Sequence, residues 1–170
     1  MPSALIIISQ TNFNETEFST TKQILSQKFN VEVASISLEE CIGMKGLRVK
    51  PNKTVKDALK KEYDVLAIIG GSGCFALADY PEVIEIIRKH AEKNKIVSAI
   101  CLAPAILAKA GVLKNTMATV YPIDWAINLL QKEGAHYMAK SVVADGNIIT
   151  SNGPQSAEEF AKTILKKFEK

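Results

Sequence analysis

The sequence predicts an α/β fold, a three-layer α/β/α sandwich built around a mostly parallel sheet. Short, nearly continuous apolar runs alternate with helical stretches along the chain. Apolar strands of this kind suit a parallel sheet that helices cover on both faces. The alternation of strand and helix favours right-handed crossovers between neighbouring parallel strands. The predicted strands are residues 4–9, 31–36, 64–69, 95–100 and 117–121.

Helical patterns fill the segments between these strands, and a further helix begins near the C-terminus. There Ser156 and Glu159 have the spacing of a capping box. The Asp145-Gly146 pair favours a tight hairpin, so we expect an antiparallel β-hairpin in the C-terminal part of the sheet. Residues 41–54 have the least regular pattern and predict a loop with a short strand. The other predicted helices are residues 16–28, 55–61, 81–93, 104–110 and 122–134.

Length and composition indicate one globular domain over residues 1–170. The chain is 47% hydrophobic, which is enough for a full core at this length. The 21 Lys and Arg exceed the 18 Asp and Glu by three, and the basic residues are scattered apart from the closing KKFEK, so the net charge of +3 implies no nucleic-acid partner. No apolar run approaches the roughly 18 residues of a transmembrane helix, and the start of the chain lacks a basic flank. We therefore expect a cytoplasmic protein with no membrane partner.

The cysteines and histidines argue against a disulfide framework and against a metal site. Cys41, Cys74 and Cys101 are an odd number without CxxC spacing. The chain has two histidines, His90 and His136, which are too few for a histidine-rich metal centre. Both lie in polar surroundings, and we expect each to be an exposed structural residue. The sequence implies neither a metal nor an organic cofactor.

Cys101 lies where a predicted strand meets a predicted helix, in the stretch KIVSAICLAPAIL. Ligands of open α/β sheets bind beyond the carboxyl ends of the strands. Ala99 and Ala103 flank the cysteine two residues away on each side, as a strained nucleophile elbow requires, and Pro104 suits a first helical turn. The helix dipole and nearby N–H groups predict a depressed thiol pKa. The alternative is a buried, inert cysteine.

Two glycines follow another predicted strand. In AIIGGSG, Gly70 and Gly71 would let the backbone approach a ligand closely and direct N–H groups at a developing oxyanion. The alternative is a plain tight turn.

The first predicted helix supplies a candidate acid or base. Helical spacing places Phe13, Glu17, Thr21 and Ile24 on one stripe, whereas Glu15 falls on a polar face. Glu17 is therefore the buried candidate, and its carboxyl would tend to stay protonated and donate a hydrogen bond to a thiolate. The alternative is a solvated glutamate at the start of a helix.

Several motifs in this order resemble the ThiJ/PfpI superfamily: YDVLAIIGG, AICLAP, AGVLKNTMATVYP and VVADGNIITSNGP. The resemblance implies a flavodoxin-like sandwich and a homodimer or larger homo-oligomer. It places the family's oxidation-sensitive nucleophile on Cys101 and its acidic partner on Glu17, within FNETE, where Glu15 replaces an Asp. It places the oxyanion-side glycine on Gly71, with the N–H of Leu102 as a second donor.

The chain also departs from parts of the family pattern. Leu102 stands where peptidase-like members carry His, and leucine cannot accept a proton. Tyr121 precedes Pro122 where the deglycase branch tends to have His; its hydroxyl could reach the site but is a poor base at neutral pH. We expect Cys74 to be a packing or loop thiol.

The leading functional hypothesis is a cofactor-independent glyoxalase or deglycase that acts on small aldehydes or glycated substrates. Cys101 would add to the aldehyde, and Glu17 would move a proton between adjacent carbons. The alternative is a redox sensor or stress chaperone that works through oxidation of Cys101. An intracellular peptidase or amidase is less expected, because the histidine next to the cysteine is absent.

Overall fold

A seven-stranded, mostly parallel sheet forms the centre of the molecule, which we describe from a computed structural model covering residues 1–170. The strands are β1 (Ser3–Ile7), β2 (Asn30–Ser35), β3 (Cys41–Ile42), β4 (Arg48–Val49), β5 (Lys53–Thr54), β6 (Val65–Ile68), β7 (Ile96–Ile100), β8 (Met117–Ala118), β9 (His136–Tyr137), β10 (Val142–Asp145) and β11 (Ile148–Ser151). The order in the central sheet is β10-β11-β7-β6-β1-β2-β5, and β10 is its one antiparallel strand. The predicted fold class and the predicted hairpin at Asp145-Gly146 are confirmed.

Helices cover both faces of this sheet. They are α1 (Glu15–Leu25), α2 (Val55–Ala58), α3 (Pro81–Glu92), α4 (Pro104–Lys109), α5 (Asp124–Lys132) and α6 (Ala157–Glu169), with 3₁₀ turns at Cys74–Asp79 and Pro154–Ser156. The apolar residues of α1 and α6 share one core with one face of the sheet, and those of α2 to α5 share another core with the opposite face. None of these helices is long and apolar enough to cross a membrane.

Side chains of successive strand residues alternate between the two cores, as the period of a β-strand requires. In β1, Leu5 and Ile7 belong to the core under α2 to α5, whereas Ala4 and Ile6 belong to the core under α1 and α6. All residues of β6 and β7 are buried. The carboxyl ends of β1, β6 and β7 are neighbours, so the loops that follow these strands meet at one edge of the sheet.

The prediction of a fifth parallel strand at residues 117–121 is wrong. Only Met117–Ala118 is extended, and it pairs with β9 in a separate two-stranded sheet. The place beside β7 belongs to β11 instead. The chain passes close to β11, where the Thr119 N–H donates to Thr150 Oγ1 at 3.0 Å.

The predicted capping box at the start of α6 is also wrong. Ser156 lies in the preceding 3₁₀ turn, and its hydroxyl bonds Asn152 Oδ1 at 3.4 Å. Glu159 instead accepts a hydrogen bond from the Ser141 hydroxyl at 2.9 Å. Helix α6 therefore begins directly after the 3₁₀ turn without a reciprocal side-chain cap.

His136 is exposed, as predicted, but the prediction of an exposed His90 is wrong. Only 1% of the surface of His90 is accessible, and its ring stacks on Tyr63. His90 Nδ1–H donates to the Ile86 carbonyl at 2.8 Å, and Nε2 accepts the Tyr63 N–H at 3.2 Å. Burial lowers the pKa of His90, which keeps the ring neutral. His90 is therefore a buried structural residue with both ring nitrogens hydrogen-bonded, although its neighbours in sequence are polar.

Candidate active site

Cys101 lies at the carboxyl end of β7, in the turn that leads into α4. Its φ is +66°, a left-handed value that is uncommon for any residue other than glycine. The Cys101 N–H donates to the Ser151 carbonyl at 2.9 Å, and its own carbonyl accepts the Tyr121 N–H at 2.7 Å. Ala99 and Ala103 are fully buried on either side. The turn thus has the strained geometry that the small flanking residues predicted, with backbone bonds holding it in place.

Glu17 comes from the other side of the site, in the first turn of α1. Asn14 caps this helix: its Oδ1 accepts the Glu17 N–H at 3.0 Å. The Asn14 N–H in turn donates to the Gly70 carbonyl at 2.9 Å, which joins the loop after β1 to the loop after β6. The Glu17 side chain is fully buried, as its place on the apolar stripe predicted.

Gly70 makes the close approach of Glu17 and Cys101 possible. Its N–H donates to Glu17 Oε1 at 2.9 Å. A Cβ atom at this position would lie 2.5 Å from Cβ of Cys101 and 2.8 Å from Oε1 of Glu17. Any side chain at residue 70 would therefore push the carboxyl and the thiol apart.

Gly71 has a different role from its neighbour. Its φ of +119° lies in the region that favours glycine, and this conformation turns its N–H toward the thiol. The N–H groups of Gly71 and Leu102 both favour the charged form of the Cys101 sulfur and so act to lower the pKa of the thiol. The structure therefore brings together both predicted N–H donors at the reactive atom, which a plain tight turn would not require.

Burial sets the protonation of Glu17. It raises the pKa of this carboxyl from 4.5 to about 7, against the opposing effects of the Gly70 N–H and the Cys101 thiol. The second carboxyl oxygen, Oε2, has no hydrogen-bond donor. Near neutral pH, Glu17 can therefore both hold and release a proton, as a general acid–base group must.

The prediction of a depressed pKa for Cys101 is wrong. Burial and the charge of the Glu17 carboxylate raise the pKa of the thiol to about 12, although the N–H groups of Gly71 and Leu102 act in the opposite direction. Helix α4 has six residues and starts three positions after the cysteine, so its dipole stabilises the thiolate only weakly. At neutral pH the proton of the pair stays on sulfur when Glu17 is ionised.

A cavity of about 310 Å³ opens above the thiol. No Lys, Arg, His, Asp or Glu side chain lines it, and Cys101 itself is 7% exposed. The lining residues are Asn14, Met44, Gly71, Ser72, Cys101, Leu102, Tyr121 and Pro154. The site therefore suits a small, uncharged molecule.

The residues that depart from the family pattern take different positions around this cavity. Leu102 and Tyr121 both line it, whereas neither His90 nor His136 does. Cys74 is fully buried in the apolar core outside the lining, and burial followed by the charges of Cys101 and Glu17 raises the pKa of its thiol. No cluster of three or more His, Cys, Asp or Glu side chains could hold a metal ion.

Sequence reasoning missed four of the lining residues. Asn14 was detectable as an Asn directly before a helix, which is the preferred type of N-cap. Pro154 lies in the SNGP motif, and Ser72 directly follows the two glycines. Met44 carries no such signal, because it lies in the irregular segment 41–54 and reaches the cavity only through tertiary packing.

The raised pKa of Glu17 has a consequence for stability. The folded protein holds this proton more tightly than the unfolded chain does. Protonated Glu17 therefore stabilises the fold fully below about pH 4.5, and this stabilisation is lost as pH rises through about 7. Glu17→Gln removes the buried charge. At about 1.4 kcal/mol per unit of pKa, we expect the variant to be more stable than wild type by up to about 3 kcal/mol above pH 8.

Urea unfolding of both proteins at about pH 5 and about pH 8 measures this difference. The gain in stability should shrink toward zero at the lower pH, where wild-type Glu17 is largely protonated. A difference between the two proteins that does not change with pH would contradict the assignment of a buried, titrating Glu17.

Comparison with known proteins places this chain in a family. The model of the DJ-1/PfpI family matches residues 2–167. An uncharacterized protein of Methanocaldococcus jannaschii is 40% identical over 168 residues, which cover 98% of this chain and 82% of the relative. The glutathione-independent glyoxalase DJR-1.2 of Caenorhabditis elegans is 30% identical over 168 residues, covering 98% of this chain and 89% of the relative.

Solved structures agree with these sequence matches. The crystal structure of a ThiJ/PfpI domain protein from Brachyspira murdochii superposes with a TM-score of 0.90 at 25% identity, over 99% of this chain and 98% of the other. With the family model matching nearly the whole chain, the protein belongs to the DJ-1/PfpI family.

Proposed function

We propose that the protein is a cofactor-independent glyoxalase or deglycase that converts small reactive aldehydes to hydroxy acids. The observation that carries this proposal is the pair formed by the Cys101 thiol and the Glu17 carboxyl, whose pKa of about 7 suits proton transfer at neutral pH. The similarity to a glutathione-independent glyoxalase supports the reaction class. The uncharged cavity supports a neutral substrate.

The first step forms a bond between sulfur and the aldehyde carbon. Ionised Glu17 takes the thiol proton as sulfur attacks, so the nucleophile is activated by an adjacent base. The N–H groups of Gly71 and Leu102 stabilise negative charge on the sulfur during this transfer. The proton held by Glu17 then passes to the former carbonyl oxygen, which gives a hemithioacetal and restores the carboxylate.

The second stage moves a proton between adjacent carbons. For methylglyoxal, Glu17 removes the proton from the carbon bonded to sulfur, which yields an enediolate, and returns it to the neighbouring carbon, while the hydroxyl proton of the first carbon passes to the oxygen of the second. The product is a thioester of lactate on Cys101. Water then releases lactate and restores the thiol, so the net change is the addition of one water to methylglyoxal.

Hydroxy-acid production from methylglyoxal without glutathione tests the proposal. We expect Cys101→Ser to abolish turnover and Glu17→Gln to lower it about 100-fold or more, because each removes an essential group. In wild type, kcat/KM should rise as pH increases through about 7, since the base form of Glu17 is the active one.

Cys41→Ser is the matched control, because Cys41 is a buried thiol whose pKa burial raises and which lies outside the cavity lining. This variant should keep wild-type activity. Folding of all variants is checked by circular dichroism. Turnover by Glu17→Gln at the rate of wild type would refute the mechanism. A wild-type protein that is folded but inactive would refute the function.

A second candidate function is redox sensing through Cys101; its access to the cavity supports this function, and its raised pKa opposes it. The sulfur opens to a cavity, and a protonated Glu17 beside it could donate a hydrogen bond to a sulfinate. Cys41 and Cys74 have no accessible surface. Leu102 and the lack of a lining histidine leave the peptidase hypothesis without a nearby imidazole.

Treatment with limiting peroxide followed by peptide mass spectrometry tests the sensor. We expect sulfenic and sulfinic acid on Cys101 before any oxidation of Cys41 or Cys74. Simultaneous oxidation of all three cysteines would contradict it. Self-association, which the family resemblance implies, remains a prediction, as does a cytoplasmic location.

A further inference from the structure

The turn between β3 and β4, residues 43–47, closes around the carboxylate of Glu15. Oε2 of Glu15 accepts the N–H of Lys45 at 2.5 Å and the N–H of Leu47 at 3.3 Å. Gly43 lies directly against the same carboxylate, and a Cβ atom there would overlap it. Burial alone would raise the pKa of Glu15, but these N–H groups outweigh it and lower that pKa, which keeps the carboxylate charged.

Glu15 supplies the side-chain anchor of this turn. Within the turn, the backbone bonds run from Gly43 N–H to the Leu47 carbonyl at 2.8 Å and from Gly46 N–H to the Gly43 carbonyl at 3.0 Å. Residues 44–47 are exposed, and the flanking strands have two residues each. Among side chains, only Glu15 bonds the backbone of residues 43–47. Most of this turn is exposed, so its position depends on hydrogen bonds: backbone bonds tie Ile42 to Gln10 and Asn12 in the loop before α1, and the Glu15 carboxylate holds the tip of the turn.

The turn carries Met44 to the site. Its N–H donates to the Phe13 carbonyl at 3.0 Å, and its side chain lines the cavity together with Leu102 and Tyr121. About half of the Met44 surface is exposed, which places the side chain at the mouth rather than in the core. Methionine is flexible and polarizable and adapts to apolar or aromatic groups.

We propose that Glu15 is a positioning residue that holds Met44 against the cavity, and that Met44 there makes the site prefer aldehydes with an uncharged, apolar tail. The preference rests on the proposed function, because the tail is that of the aldehyde that reacts with Cys101. The cavity offers apolar surface from Met44, Leu102 and Tyr121 and no cation for a carboxylate. Phenylglyoxal fits this description, whereas glyoxal has no tail to contact Met44.

Glu15 and Glu17 lie two residues apart but serve different partners. Glu17 is held by Gly70 and by the cap from Asn14, and neither contact involves the 43–47 turn. Loss of the Glu15 carboxylate should therefore change substrate binding more than the chemical step. This separation gives the proposal a kinetic signature.

Steady-state kinetics with glyoxal and phenylglyoxal measure the effect. We expect Glu15→Ala and Met44→Ala each to raise KM for phenylglyoxal about tenfold, with kcat within about twofold and a much smaller change in KM for glyoxal. The double variant should be no worse than either single variant, because both remove the same contact. Glu15→Gln should lie between wild type and Glu15→Ala, since the amide oxygen can still accept the two N–H groups.

Glu82→Ala is the matched control, because Glu82 is also an acidic residue in the first turn of a helix but lies in α3, away from the cavity lining. It should leave the preference for phenylglyoxal unchanged. Equal losses on both aldehydes in Glu15→Ala, or additive losses in the double variant, would overturn the proposal.

Alkylation of Cys101 separates this proposal from the proposed function. Peptide mass spectrometry gives the rates with N-phenylmaleimide and with iodoacetamide at that residue. We expect the ratio of the two rates to fall in both Glu15→Ala and Met44→Ala, because the phenyl group loses its apolar contact. An unchanged or higher ratio overturns the positioning role, whether or not wild type turns over an aldehyde. If wild type turns over no aldehyde but the ratio falls, the proposed function fails and the positioning role stands.

Discussion

The burial of the Glu17 carboxyl against Cys101 is the constraint on which the rest of the site depends. A buried carboxyl with one unpartnered oxygen resists ionisation, and here its pKa rises to about 7. Its charge in turn opposes ionisation of the thiol. The arrangement requires a residue without a side chain at position 70, because a Cβ atom there would strike both partners. One glycine thus permits the contact that couples the two titrations.

The sheet explains why these groups meet. Glu17, Gly70 and Cys101 follow β1, β6 and β7, three adjacent parallel strands whose carboxyl ends share one edge. Hydrogen bonds between the loops hold them in register, including the one from Asn14 to the carbonyl of Gly70. Nucleophilic attack and thiol oxidation both use this pair, so the two candidate functions differ in what enters the cavity. The apolar cavity lining, which includes Met44 from the 43–47 turn, favours the entry of apolar molecules.

Much of this arrangement could be predicted from local patterns. Continuous apolar runs indicate buried parallel strands, and helical spacing alone identified Glu17 as buried. The failures share a cause, because each depended on tertiary contacts. The strand that pairs with β7 is β11 and not residues 117–121, and His90 is buried although its neighbours in sequence are polar. The thiol pKa was misjudged because burial and a nearby carboxylate outweigh a six-residue helix. Met44 reaches the site only through the anchored turn.

The ionisation state of Cys101 tests the central claim most directly. Thiolate is measured by ultraviolet absorbance as pH is raised from about 5 to about 9, and the Cys101→Ser signal is subtracted from that of wild type. We expect no thiolate from Cys101 over this range, because its proton leaves only through Glu17 during reaction. Thiolate absorbance from Cys101 already present near pH 6 would contradict it, and would mean that the cysteine is charged at rest beside a protonated Glu17.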